Sequence, residues 1–211
     1  MPESRMDLKK KRIRSFFSRL DVEPDTLEEE EDISLTYIQM KLPVNDITPE
    51  FEAKVKAKVR KNFLNAKIRE ATRKDLPKVM QIHNRAWLTA NEPFRPIELD
   101  SLEKIYKYPE TEILIAKVYG KDGGFIILDR EGMNNEIGVI AGLGVLPRYQ
   151  RKGLGTVLAV AAWNYFKEKE VEELRCEVYE DNHVSYDFIE SLGFKEYDRV
   201  TYTKDDFIFN R

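Results

Sequence analysis

The stretch that most restricts how this chain can fold is Gln150-Arg-Lys-Gly-Leu-Gly155, a basic glycine turn between two regular runs. Before it, Glu136 to Val145 is apolar and rich in β-formers. After it, Gly153 to Lys167 places Leu154, Val157, Leu158, Ala161 and Tyr165 on one helical face. The backbone therefore leaves a strand and enters a helix within a few residues, and the helix must pack back near the strand's end. N–H groups in a helix's first turn have no acceptor inside the helix, and the dipole adds positive character there. Glycine lets the backbone approach closely, so the turn suits an anion such as phosphate. It is not a Walker loop, because no Gly-Lys pair precedes Thr156. It also lacks GxGxxG spacing, and no acidic residue stands where a ribose partner would.

The chain around this turn has 211 residues, 42% hydrophobic and 35% charged, enough for one domain with a sizeable core plus an appendage. A net charge of -3 gives no basic field to draw it onto nucleic acid or membranes, so neither is expected as a partner. No apolar run approaches the roughly 18 residues of a membrane span, and no apolar segment follows the basic N-terminus as a signal peptide requires. Cys176 is the single cysteine, which excludes an internal disulfide and a cysteine-built zinc site. The expectation is a cytoplasmic protein without a metal.

Three segments are expected. Residues 1–32 form a charged arm, basic around Lys9 to Arg19 and acidic from Glu28 to Asp32. Residues 33–65 form a strand-helix appendage. Its strand is Ile33 to Leu42, and its helix starts at Pro49 with Thr48 as N-cap. Phe51, Val55, Val59 and Phe63 make a narrow apolar stripe on that helix. Such a stripe needs a cover, either the following domain or a second copy in a homodimer. Residues 66–211 read β-α-α-β-β-β-α-β-α-β-β: a strand at Ile68 to Thr72, a helix capped by Asp75, and a helix at Ile97 to Tyr106. Strands follow at Glu112 to Tyr119, Gly124 to Asp129 and Glu136 to Val145, with turns at Gly120 to Gly123 and Glu131 to Asn135. Beyond the main helix come a strand at Leu174 to Tyr179, a helix at Asn182 to Leu192, and a hairpin, Phe194 to Thr203 and Phe207 to Asn210. The fold class is α/β (α+β): a mixed, mostly antiparallel sheet flanked by helices.

A second motif lies downstream, Asn182-His-Val-Ser185 running into Leu192-Gly193-Phe194. Together with Val145-x-Pro147-x-x-Gln150-x-x-Gly153-x-Gly155, it makes the chain from about Ala66 onward resemble the GNAT superfamily of acyl-CoA-dependent N-acyltransferases. Within that superfamily it is similar to the branch that acetylates protein N-terminal amines, ribosomal ones among them. The resemblance implies acetyl-CoA, or another acyl-CoA, as co-substrate. It implies that Gln150, Arg151, Lys152, Gly153, Leu154, Gly155 and Thr156 bind this cofactor, with its pyrophosphate on the backbone from Arg151 to Thr156. It also implies that the strand before the turn splays from its neighbour, with amides around Leu143, Gly144 and Val145 holding the acyl group and its carbonyl oxygen. Asn182 would contact the cofactor.

The same resemblance makes Glu177 the candidate general base, five residues before Asn182. By alternation it shares a strand face with Arg175 and Tyr179, opposite Leu174, Cys176 and Val178. A plain ion pair with Arg175 or Arg151 is the competing reading. Many relatives carry a tyrosine seven residues after the motif asparagine as proton donor to the CoA thiolate; here Ile189 stands there. Tyr186, Tyr179 or Tyr202 would have to substitute, or water, or nothing. Ile189 keeps open an alternative, an acyl-CoA-binding regulatory module with weak catalysis. Trp87, Glu92, Phe94 and Arg95 border the loop that lines the acceptor channel in the family, where Glu92 and Phe94 would meet an amine-bearing acceptor. That acceptor is a protein N-terminus or lysine, a polyamine or a small metabolite. His83 reads as a core residue, His183 as solvent-facing and Cys176 as a buried thiol.

Overall fold

A computed structural model describes residues 34–60, 64–91 and 96–202. Aliphatic residues between positions 112 and 145 form three strands, β3 (Glu112–Val118), β4 (Lys121–Glu131) and β5 (Ile137–Val145), paired as an antiparallel meander. The first connection is tighter than its glycines suggest. Tyr119 and Gly120 both take positive φ, 49° and 78°, and β4 starts at Lys121, so Gly123 and Gly124 lie inside the strand. A two-residue turn of this kind follows the strands' own twist.

Preceding the meander are β1 (Leu35–Pro43), α1 (Pro49–Arg60), β2 (Lys67–Glu70), α2 (Leu76–Trp87) and α3 (Leu99–Tyr106). After it come α4 (Leu154–Glu168), β6 (Glu173–Tyr179), α5 (His183–Glu190) and β7 (Lys195–Tyr202). The seven strands form one mixed sheet in the order β2-β3-β4-β5-β6-β1-β7. One face carries α2 and α3 over Phe125, Ile127 and Ile113; the other carries α4, α5 and α1 over Ile126, Leu128 and Met40. Helix α4 buries Leu154, Val157, Leu158, Ala162 and Phe166. Its inward face is thus turned toward Ala162 and Phe166 rather than Ala161 and Tyr165, because Phe166 fills the space over Gly138, where a Cβ would lie 2.7 Å from the ring. The second strand of the last hairpin, Phe207 to Asn210, lies outside the described residues.

The largest difference from expectation concerns residues 33–65. β1 is not appended to the sheet. It lies inside it, antiparallel to β6 on one side and β7 on the other. Leu35, Tyr37, Ile38, Gln39, Met40 and Leu42 are all buried, so both faces of the strand are covered, as an interior position demands. Thr48 caps α1 as expected, its Oγ1 accepting from the Phe51 N–H at 3.2 Å. Val55 and Val59 pack on the main core, Phe51 lies over Leu42 and Gly193, and Glu52 pairs with Lys56 and with Lys167 of α4. The stripe is therefore covered from within the chain as far as Val59; Phe63 lies outside the described residues.

Asp75 occupies the N-cap position of α2, but its carboxylate accepts no N–H of that helix and instead closes a capping box with Thr72 across the short turn before it. Both its oxygens accept from Arg69, at 2.8 Å each, and Oδ2 also accepts from the N–H and hydroxyl of Thr72 at 2.8 Å. The Arg69 guanidinium and the Thr72 donors hold this carboxyl well below the usual carboxylate range. Such a group contributes stability that is present above its unfolded pKa, about 3.9, and is lost as pH falls toward its depressed folded value. Asp75→Ala is expected to cost about 1–2 kcal/mol at pH 7 in denaturant unfolding. The gap to the wild type should narrow once the pH drops below about 4; a gap constant from pH 7 to pH 3 would refute this account.

Candidate active site

Strands β5 and β6 run parallel but pair only from Ile137 opposite Glu173 to Ile140 opposite Cys176. Just beyond, β5 carries a bulge at Ala141: Leu128 of β4 faces Ile140, while Ile127 faces Gly142. A bulge bends and twists its strand, and from here β5 continues to Val145, and β6 to Tyr179, without a ladder between them. The opening encloses a cavity of about 420 Å³, with Leu143 on one wall and Glu177, Asn182 and Phe188 on the other. The Leu146 N–H donates to Gly123 O at 2.9 Å, toward β4. By strand alternation Val145 and Leu143 turn their N–H groups the other way, toward the opening, while Gly144 faces β4.

The glycine turn stands at the end of this opening. After a short 3₁₀ turn at Pro147–Tyr149, the Gln150 side chain donates to Val145 O at 3.0 Å and to Thr89 Oγ1 at 3.1 Å. Gln150 thus ties the turn to β5 and to the end of α2. Arg151 takes φ 56° and Gly153 φ 82°, and Gly153 is the N-cap of α4. The left-handed backbone there swings the chain into the helix, and glycine adopts it without a Cβ penalty. No side chain caps this N-terminus, so the first-turn amides are left for a bound anion or water. Arg151, Lys152 and Gly153 are exposed around them. Gly155 brings the helix against Phe188 of α5, where a Cβ would lie 3.2 Å from the ring, and so joins the turn to the cavity wall.

The alternation read for β6 holds. Leu174, Cys176 and Val178 are buried in the main core, whereas Arg175, Glu177 and Tyr179 are half-buried on the opposite face. Burial in this core raises the pKa of the Cys176 thiol far above its ordinary value, which leaves no thiolate for nucleophilic chemistry. Tyr202 of β7 donates from Oη to both Glu177 oxygens, at 3.2 and 3.3 Å. Arg175 is engaged by Glu173 at 2.6 Å. Tyr37 of β1 lies with its ring centre 5.6 Å from each of Tyr179 and Tyr202. Asn182 is buried as the N-cap of α5, its Oδ1 accepting from the Ser185 N–H at 3.2 Å.

Ile189, seven residues after Asn182, lines the cavity. Tyr186 packs on the main core and is not among the described residues lining the cavity; the phenols there are Tyr37, Tyr179, Tyr197 and Tyr202. Trp87 reaches the cavity and stacks on His83, which is buried, with ring centres 4.1 Å apart. His183 is exposed. Glu92, Phe94 and Arg95 lie outside the described residues. The loop before them is tied to the other rim, Asn91 donating to Asp181 O at 2.7 Å. Sequence reasoning missed Gln39 and Tyr37, which β1 brings beside Glu177. Strand alternation places both on one face of β1, but nothing local shows that β1 pairs with β6.

Comparison with known proteins agrees with this geometry. The sequence model of the acetyltransferase (GNAT) family matches residues 76–194. An N-alpha-acetyltransferase of Sulfurisphaera tokodaii is 31% identical over 140 residues, which is 62% of this chain and 80% of the relative. Among solved structures, the ribosomal-protein-S18-alanine N-acetyltransferase from Escherichia coli aligns with a TM-score of 0.54 at 24% identity, over 63% of this chain and 79% of its own. An aminoglycoside N-acetyltransferase in complex with CoA gives 0.54 at 22% identity, over 70% and 94%. At these identities the two structures speak for the fold. Strand β1 and helix α1 precede the matched stretch.

Proposed function

The chain belongs to the GNAT family and is an acetyltransferase, and from that premise we propose that it transfers an acetyl group from acetyl-CoA to a primary amine by direct attack in a ternary complex. The carrying observation is the opening between β5 and β6, which has an uncapped helix N-terminus at one end and Glu177 on its wall. In this reading the amides from Arg151 to Thr156 hold the pyrophosphate, and Arg151 and Lys152 offset its two charges. Gln150 serves by positioning this turn rather than by touching the ligand. The Leu143 and Val145 N–H groups face the acyl carbonyl, and Val145 donates to the negative oxygen that develops there. Asn182 shapes the α5 end of the cofactor channel.

Glu177 takes the proton that an ammonium must lose before it can attack. The Tyr202 phenol holds the carboxylate in place. No α5 phenol stands at the cavity, and Tyr202 already donates to Glu177, so the thiolate takes a proton from Tyr179 or water, or departs unprotonated, which a fair leaving group tolerates. Among the described residues no helix is long and apolar enough to cross a membrane, and no His, Cys, Asp or Glu cluster is suited to a metal ion. Acetyl-CoA at 100 times its dissociation constant is expected to stabilise the protein by about 2.7 kcal/mol, a Tm rise of roughly 5–10 °C. Thiol release should then require an amine. No melting shift, or release that ignores added amine, would contradict the reading.

A further inference from the structure

Gln39 is an interior residue of β1, 8% exposed, and lines the cavity between β5 and β6. Its strand register sets it directly opposite Glu177 on β6 and Asp198 on β7. Side chains opposite one another on neighbouring strands start about 5 Å apart at Cβ. Its side-chain nitrogen Nε2 is buried and has no hydrogen-bond partner among the described residues. A buried amide donor left unsatisfied is costly, and the neighbours facing it do not remove that cost. Glu177 already receives the Tyr202 phenol, and the aromatic rings of Tyr37, Tyr179 and Tyr202 stand around the pair. A carboxylate and a neighbouring N–H donor, walled by tyrosine rings, form a two-point grip. The carboxylate takes an ammonium, and the amide donates to an oxygen a few bonds away.

We propose that Gln39 is an acceptor-binding residue whose N–H donates to a carbonyl or hydroxyl oxygen beside the reacting amine, so that the enzyme prefers amines bearing such an oxygen over plain alkyl amines. An α-amino amide, as at the free N-terminus of a peptide, has this arrangement; a lysine side chain and a polyamine do not. The inference rests on the acetyl-transfer reading of the same cavity and adds the chemistry of its acceptor. It also gives β1 a part in recognition although it lies outside the stretch shared with the family.

The test compares kcat/KM for a short peptide with a free α-amine, for the same peptide N-acetylated but carrying one lysine, and for butylamine. The wild type should favour the free α-amine by at least about tenfold, the scale of one hydrogen bond. An α-amine has the lower pKa and is favoured to some extent without Gln39, so in Gln39→Met, which keeps length and removes the donor, the share due to the hydrogen bond should vanish and the preference fall by about tenfold, chiefly through KM. Gln39→Glu should lose that share as well. An acetyl-CoA melting shift equal to the wild type's shows that each variant is folded. A preference undiminished in a folded variant, or a wild type that favours lysine or butylamine, overturns the proposal. A wild type that binds acetyl-CoA yet acetylates none of the amines removes the underlying function and this inference with it.

Discussion

Glu177→Gln is expected to lower kcat by about 10²–10⁴ near neutral pH while leaving acetyl-CoA binding intact. Glutamine has nearly the same shape and its carbonyl oxygen still accepts from Tyr202, which stands 3.2 Å from the carboxylate, so the β6 to β7 contact survives. What the variant lacks is a site for the amine's proton. An α-amine titrates near pH 8 and a lysine near 10.4, so at pH 6–7 either acceptor is mostly protonated and depends on the base. As the pH rises through the acceptor's own pKa, more of the amine is already neutral, and the deficit of the variant should shrink. A pH–rate series with a thiol-release readout gives both the size and the slope of the effect. Equal rates for variant and wild type from pH 6 to pH 9 would remove Glu177 from the base role.

The second large effect is at the turn. Gly153→Glu should reduce acetyl-CoA affinity by about 100-fold or more, because it sets a negative charge at the helix N-terminus where two phosphate charges would rest. At about 4 Å and an effective dielectric constant of 20, each like-charge pair is worth roughly 4 kcal/mol, and salt and side-chain freedom reduce that. Backbone strain from the left-handed conformation, φ 82°, contributes separately, about 1–2 kcal/mol for an ordinary L-residue. Gly153→Asn separates the two contributions, since asparagine tolerates this backbone and carries no charge. It should retain affinity within about tenfold. Calorimetric titration measures both, and full affinity in the glutamate variant would exclude this turn as the pyrophosphate site. Position 153 is exposed, so both variants are expected to fold.

Much of the site is legible along the chain because it is built from local elements. The turn from Gln150 to Gly155, the N-cap Asn182 with Ser185 three residues on, and the two faces of β6 each depend on residues a few positions apart. Helical and strand periodicity expose such relations directly. The Ala141 bulge has no such signature, since it is defined only by the offset between β4 and β5. Tyr202 was recognisable as one phenol among several, but its choice of Glu177, 25 residues away, depends on β1 lying between their strands. Tyr186 was another of these phenols, although it points elsewhere on its helix than position 189. Packing turned it onto the core and left Ile189 at the cavity.

Two features are readable from the order of residues alone: a strand feeds a glycine turn and a helix with open first-turn amides, and Glu177 lies with Arg175 and Tyr179 on the strand face opposite Leu174, Cys176 and Val178. These follow from backbone periodicity and from the special φ that glycine permits, which are properties of neighbouring residues. Tertiary structure alone decided that β1 enters the sheet between β6 and β7, setting Gln39 opposite Glu177 and Tyr37 against Tyr179 and Tyr202. Strand partners separated by about 140 residues are chosen by which edge buries the most apolar surface and satisfies the most backbone hydrogen bonds. That choice is settled over the whole sheet and leaves no mark in any short stretch of the chain.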